Sequence, residues 1–281
     1  MSDFKQYVNF YQFETVLPGS GKMITFKPIT TGQIKRLLLY ETSDDPNSIE
    51  NSLDDVITEC VVDEDFSIDD LYLQDRFYLL LDMRKATKGN TYSFSSKCTK
   101  CESQSSQSIK LTDLPVKTLN IPKEDVVRIK KQKSINMKKG GKLIDSDEVV
   151  EEKPKTSNWN LVNLNDKLAV KLLHTTRGGQ KQVEEIMKSN AELTDLQKSV
   201  EETTLLYAMS IKSVVTPDGE DDNLTMNDKV YIIENIPQNE HMLISKWFED
   251  NDFGVDFSFD VECAHCQYKE KKSIPLDNFF F

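Results

Sequence analysis

Two passages of the chain, "YSFSSKCTKCESQSSQSIKL" from Tyr92 and "FSFDVECAHCQYKEKKSIPL" from Phe257, align without a gap at a shift of 165 residues. The shift that carries Cys98 to Cys263 also carries Cys101 to Cys266, Gly89 to Gly254, Phe94 to Phe259, Ser108 to Ser273 and Leu111 to Leu276. Agreement at so many positions in one register reads as an internal duplication. It constrains the fold to two units, each closing on strand, cysteine turn and strand.

Upstream the correspondence is looser. "PITTGQIKR" near Thr30 is matched by "HTTRGGQKQ" near Thr175, and "CVV" at Cys60 by "SVV" at Ser213. The first unit opens with "ETVLPGSGKMITFKPITTG", two short strands about a Gly-Ser-Gly turn. Three helices follow: "TTGQIKRLLLYE" with Ile34, Leu37 and Leu38 on one face, "NSIENSLDDVITECVV" with Ile49, Leu53, Ile57 and Val61, and "SIDDLYLQDRFYLLLDMRKATKG". The third is expected to start at Ser67 or Asp69 and to stop at Gly89. In the second unit, "QNEHMLISKWFEDNDFG" takes the place of the third helix, and "TPDGEDDNLTMND" is expected to be an inserted acidic loop.

The expected fold class is therefore α+β, internally duplicated, each half a small helical bundle with short strands and a cysteine hairpin. The expected divisions are a first repeat over 1–113, a charged β-rich connector over 114–159 and a second repeat over 160–281. In the connector, "KSINMKKGGKLIDSDEVVEEK" reads as a hairpin turning at Gly140-Gly141, with one basic and one acidic arm.

C-x-x-C between two strands is the pattern of a zinc knuckle, and a tetrahedral site needs four ligands. Cys98, Cys101, Cys263 and Cys266 supply four if the halves pack about a pseudo-twofold axis, giving one structural zinc. The separation of 161 residues between Cys101 and Cys263 is far longer than an ordinary ribbon spacer, so this needs the fold to bring the pairs together. The alternative is two reduced or transiently oxidised thiol pairs that hold turns without metal. Thioredoxin-like chemistry fits less well, because it draws on a helix N-terminus and these pairs lie between strands. The fifth cysteine, Cys60, reads as a small buried residue.

Other patterns lead away from catalysis. "LPGSGKM" lacks the spacing of a phosphate loop, and Met23 follows Lys22 where Ser or Thr is required. "DGEDDN" lacks the spacing and terminal glutamate of a calcium loop. His174, His241 and His265 stand near no nucleophile pattern, so no enzyme is expected. A net charge of −12 argues against binding to a phosphate backbone, and the Lys130 to Lys142 island is balanced by acidic residues. No apolar run is long enough to span a bilayer, and the opening residues lack a secretion signal. The terminal Phe279, Phe280 and Phe281 should be buried, either in their own half or against a partner.

The order "ITFKPITTGQIKRLLLYE", "VITECVVDE", "DRFYLLLDMRKATKG", then C-x-x-C with "IKLTDL", resembles the baseplate hub assembly proteins of T4-like contractile-tailed phages. The resemblance implies a hub assembly factor or chaperone that binds hub or baseplate proteins in the host cytoplasm. Retention in the virion baseplate as a structural component is the alternative. The resemblance carries no catalytic residues. A zinc-ribbon adaptor for nucleic-acid or transcription complexes competes on the cysteines and lysines alone.

Overall fold

Two short strands, joined by the glycine loop, open the N-terminal region. β1 (Phe13–Val16) and β2 (Met23–Phe26) pair antiparallel with Val16 opposite Met23. Gly21 turns the chain at φ 65, where a side chain would be strained. The amides of Gly19 and Ser20 donate to the buried Asp75 carboxylate at 2.7 and 2.9 Å, so the glycine loop is gripped from within. These details come from a computed structural model that describes residues 8, 11–41, 46–120, 158–189, 193–275 and 279.

α1 (Thr31–Glu41) begins where Thr30 and Gln33 cap each other, the Gln33 amide donating to the Thr30 hydroxyl and the Thr30 amide to the Gln33 side chain. α2 (Pro46–Cys60) returns across α1 and delivers Val61 to a bridge with Phe26. The third helix starts later than its sequence pattern suggests. Ile68–Asp70 makes a single 3-10 turn, and α3 runs over Leu73–Lys88. The delay has a physical cause: Tyr72 bridges Thr176 and the Leu71 carbonyl accepts from the Arg177 amide at 2.8 Å. That backbone is extended because it pairs with the other half. β3 (Thr91–Lys97) and β4 (Gln104–Lys110) form the first cysteine hairpin, and β5 (Val116–Lys117) follows.

The second half opens with β6 (Leu161–Asn163) and β7 (Ala169–Leu172), continues through α4 (Arg177–Ser189) and α5 (Asp195–Ser210), and returns in β8 (Ile211–Thr216) and β9 (Gly219–Asp221). These four strands make an antiparallel sheet in sequence order. Part of the acidic segment, expected as a loop, is thus the strand β9, with Glu220 held by Lys171 and Ser213. α6 (Met226–Asn235) and α7 (Gln238–Asp250) cover the sheet. β10 (Gly254–Val255) leads to the second cysteine hairpin, β11 (Ser258–Glu262) and β12 (Lys269–Ser273). The mixed helices and strands make this an α+β protein.

Two cores result, and they do not follow the chain's midpoint. One gathers Val170, Leu172, Ala208, Ile211, Ile244 and Trp247. The other gathers Ile24, Phe26, Ile57, Leu79 and Met83 with Ile274 and Phe279 from the far end of the chain, and Phe257 and Phe259 pack against it. The C-terminal hairpin therefore rests on the N-terminal core. β5 and β10 pair across the same junction, Val116 opposite Val255. Arg84 fastens it further, donating to the carbonyls of Phe279 at 2.7 Å and Gly89 at 2.8 Å. The Gly140-Gly141 hairpin and the Lys130 to Lys142 island lie outside the described residues, as do Phe280 and Phe281. Among the described residues no helix is long and apolar enough to cross a membrane.

Candidate metal centre

Each cysteine pair sits on the turn of its hairpin, and the two turns are built alike. The Cys98 amide donates to the Ser103 carbonyl and the Glu102 amide to the Cys98 carbonyl, at 2.9 and 3.0 Å. At the 165-residue shift, the Cys263 amide donates to Tyr268 and the Gln267 amide to Cys263, at 2.9 and 2.8 Å. Glu102 and Gln267, in matching positions, take the left-handed conformation at φ 59 and 57. The strand register matches too, with Ser93 opposite Ser108 and Ser258 opposite Ser273.

The hairpins face one another. Phe94 and Phe259, matched at the 165-residue shift, meet edge to face with centroids 5.1 Å apart. Cys98 Sγ lies 3.7 Å from Cys266 Sγ, and Cys101 Sγ lies 3.6 Å from Cys263 Sγ. Exchanging the two hairpins turns the first distance into the second, which is the contact pattern of a local two-fold. All four sulfurs fall within 4.8 Å of one another. With a metal–sulfur bond of about 2.3 Å, a tetrahedron of thiolates has edges of about 3.8 Å. The spacing and donor type fit a single metal ion held by Cys98, Cys101, Cys263 and Cys266. Cys98 and Cys263 are buried, Cys266 is half-buried and Cys101 is exposed, so the cluster opens to solvent on one side.

Electrostatics bears on the same point. The Ser103 hydroxyl, then the amides of Cys266 and His265, draw the Cys263 thiol down to about 5. The Tyr268 amide pulls Cys266 the same way, yet burial and the thiols of Cys101, Cys263 and Cys98 push it up to about 12. Like charges 4 Å apart repel by about 1 kcal/mol even in bulk water and more beside protein. Only with a cation among them could all four ionise together at this spacing.

Supports cross between the hairpins. Ser103 Oγ lies 3.0 Å from Cys101 Sγ and 3.4 Å from Cys263 Sγ. Glu270, from β12, accepts from the Thr99 amide at 3.2 Å and the Thr99 hydroxyl at 2.7 Å inside the first knuckle. Lys272 reaches Ser96 Oγ at 3.2 Å.

A second seam joins the halves, and the sequence patterns did not reveal it. Asp54, on α2, accepts from Arg76 Nε through one carboxylate oxygen and from Arg177 Nε through the other, both at 2.7 Å. Both guanidinium groups are almost fully buried, at 2% and 0% exposure. Glu50 completes Arg76 at 2.8 Å, and Glu184 completes Arg177 at 2.7 Å. Burial alone would lower the Arg177 pKa, but Asp54 and Glu184 hold it above its ordinary value. The chain gets close enough because Gly178 has no side chain, a Cβ there meeting Asp69 Cβ at 2.9 Å. "RGG" in "HTTRGGQKQ" was the available signal, an arginine beside glycines at a helix start.

Cys60 is buried, and burial pushes its thiol up to about 11. His265 is exposed in the second knuckle. His241 packs on the Tyr207 ring, and His174 is buried among Tyr72, Trp247, Phe248 and Phe253. Phe279 is buried against Tyr92 in the N-terminal core.

Comparison with curated proteins and with solved structures finds no match. A family model does match, described as T4 bacteriophage base plate protein, over residues 9–281. With nearly the whole chain covered, the protein belongs to the T4 bacteriophage base plate protein family.

Proposed function

We propose that the protein is a non-enzymatic assembly factor for the phage baseplate hub, holding hub or baseplate proteins during tail morphogenesis in the host cytoplasm. Membership of the baseplate family over residues 9–281 carries this reading. The described residues support it by what they spend their polar groups on: the buried ionic cluster, the gripped glycine loop and the cysteine hairpins all serve internal joints. The discriminating experiment follows a tagged copy through infection. Presence on hub intermediates with absence from purified virions supports the assembly factor. Stoichiometric retention in virions makes the protein a structural baseplate component instead, and presence in neither sinks both.

The same reading assigns one zinc ion to Cys98, Cys101, Cys263 and Cys266, because four sulfurs within 4.8 Å suit a tetrahedral thiolate site. When bound, the ion would offset half of the charge of four thiolates and clasp the hairpins together. The chain's part is to present two matched turns, with amides of His265 and Cys266 aimed at Cys263 and Ser103 between the knuckles. The halves are read as products of duplication, on the matched registers of the two hairpins. Native mass spectrometry of untagged protein should find one zinc per chain. Two ions, or none, would overturn the shared site.

Partner capture by the terminal phenylalanines falls to Phe280 and Phe281, since Phe279 is taken up by Tyr92 and the Arg84 side chain. Removing the last two residues should weaken co-purification of a hub protein with little change in thermal stability. The reverse pattern would return them to the core.

A further inference from the structure

The two cysteine hairpins match in register, turn geometry and sulfur placement, so any difference between them at the sulfurs stands out. Ser103 is that difference. Its counterpart at the 165-residue shift is Tyr268, whose ring lies under the Lys100 ammonium with the nitrogen 5.6 Å from the centroid. Ser103 Oγ instead stands between sulfurs of opposite knuckles, 3.0 Å from Cys101 and 3.4 Å from Cys263. Among the hydroxyl contacts of the described residues, this is one that touches both hairpins' thiols at once.

We propose that Ser103 is a positioning residue of the metal centre, its hydroxyl holding the Cys101 and Cys263 sulfurs in register so that the ion is retained. The inference rests on the zinc reading above and adds to it which residue outside the four ligands governs retention.

A hydroxyl has one proton to give, so it donates to one thiolate at a time while its oxygen spaces the pair. A thiolate that accepts a hydrogen bond carries less free charge and repels its neighbours less. Cys101 needs this most. It is the exposed sulfur of the four and the side from which water or a chelator enters. On the far side of the same knuckle, Glu270 already fixes the Thr99 amide and hydroxyl, so Ser103 completes the restraint from the turn's other arm. Partners of this kind outside the ligand set change metal affinity by roughly 10-fold to 100-fold when removed.

The test uses the full-length chain, loaded with zinc, as wild type, Ser103→Ala and Ser103→Thr. Zinc release to a chromogenic chelator should be faster by about 10-fold in Ser103→Ala and within about 3-fold of wild type in Ser103→Thr, which keeps the hydroxyl. Ser103 is half-buried on a turn, so both variants should fold. Cobalt(II) in place of zinc gives a readout that general loosening does not move. Loss of a hydrogen bond to a thiolate shifts the sulfur-to-cobalt charge-transfer band to longer wavelength, and Ser103→Thr should restore it. A wild-type chain that loads one ion, with Ser103→Ala unchanged in release and spectrum, overturns this inference and leaves the zinc reading standing. A wild-type chain that takes neither zinc nor cobalt overturns both.

Discussion

Among the joints between the halves of this baseplate protein, two work by opposite means. At the hairpins, four sulfurs meet near solvent, with Cys101 exposed and the surrounding strands rich in serine and lysine. At α2, α3 and α4, one aspartate lies between two arginines in a dry seam with almost no exposure. On the zinc reading the first joint depends on a ligand from outside the chain, whereas the second is made of the chain's own side chains. A buried charge cluster is poor in net stability relative to an apolar one, yet costly to break, because removing one member strands the others. With the proposed ion the sulfur joint would tighten or loosen with metal supply, whereas the charged joint uses only groups the chain itself carries.

That contrast is tested first by Asp54→Ala. It leaves Arg76 with Glu50, Arg177 with Glu184 and Asn51, and takes from Lys181 a carboxylate 3.4 Å away. The expected loss is about 3–5 kcal/mol, read as a shift of the urea midpoint. A loss under about 1 kcal/mol would show that the arginines find water on relaxing and that the seam is not the main joint.

Cys98→Ser should act more locally. It should abolish stoichiometric metal binding and raise hydrogen exchange at the amides of Cys98, Glu102, Cys263 and Gln267, whose bonds shape the knuckles. The urea midpoint should fall less than for Asp54→Ala, since Phe94, Phe259 and Phe279 keep the hairpins on the N-terminal core without the ion. If the two variants lose equal stability, the ion holds the halves as firmly as the charge seam does.

The two joints also differ in how readable they were. Cysteine is rare in this chain, and tetrahedral coordination fixes the ligand count, so two C-x-x-C pairs in one register pointed to a shared site across 161 residues. Asp54, Arg76 and Arg177 belong to the commonest surface types, and nothing in local periodicity distinguishes a buried arginine from a solvated one. Their seam is a product of tertiary packing. The same packing moved the start of α3 from the Ser67 to Asp69 region to Leu73, because Tyr72 is drawn into a bridge with Thr176. Helix existence and type survived, since Leu79, Leu80 and Met83 supply the apolar face. What periodicity could not give was core membership: the C-terminal hairpin sits on the N-terminal core because Phe257, Phe259 and Ile274 face that way, an arrangement set by contacts far apart in sequence.

A smaller effect concerns the aromatic pocket behind the charged seam. Burial lowers the His174 pKa, opposed by the Asn251 carbonyl and Asp252, and its Nε2 is buried without a hydrogen-bond partner among the described residues. Tyr72, beside it, is held neutral by burial and by Asp75. The folded chain refuses a proton that the unfolded chain accepts. Stability from this residue is therefore complete above pH of about 6.5 and is lost as pH falls toward the folded pKa, by at most about 1.4 kcal/mol per unit. Unfolding midpoints between pH 7.5 and 5 should slope more steeply for wild type than for His174→Phe. Parallel slopes would place the ring in contact with water.

The smallest expected effect is the sharpest check on what joins the halves. Lys117 and Asp252 pair at 2.7 Å beside the β5–β10 bridge, and on paper they link the same two regions as Asp54 and Arg177. Both side chains are more than half exposed. Water solvates each nearly as well as its partner does, and ordering two flexible chains offsets the attraction. The Asp252 contact raises the Lys117 pKa, a shift that solvent screening keeps from becoming stability. Lys117→Ala should leave the urea midpoint unchanged within error at both low and high salt. A salt-dependent loss would mean that this part of the junction is drier than its exposure implies, and that charge at the rim, not only in the seam, decides how the halves meet.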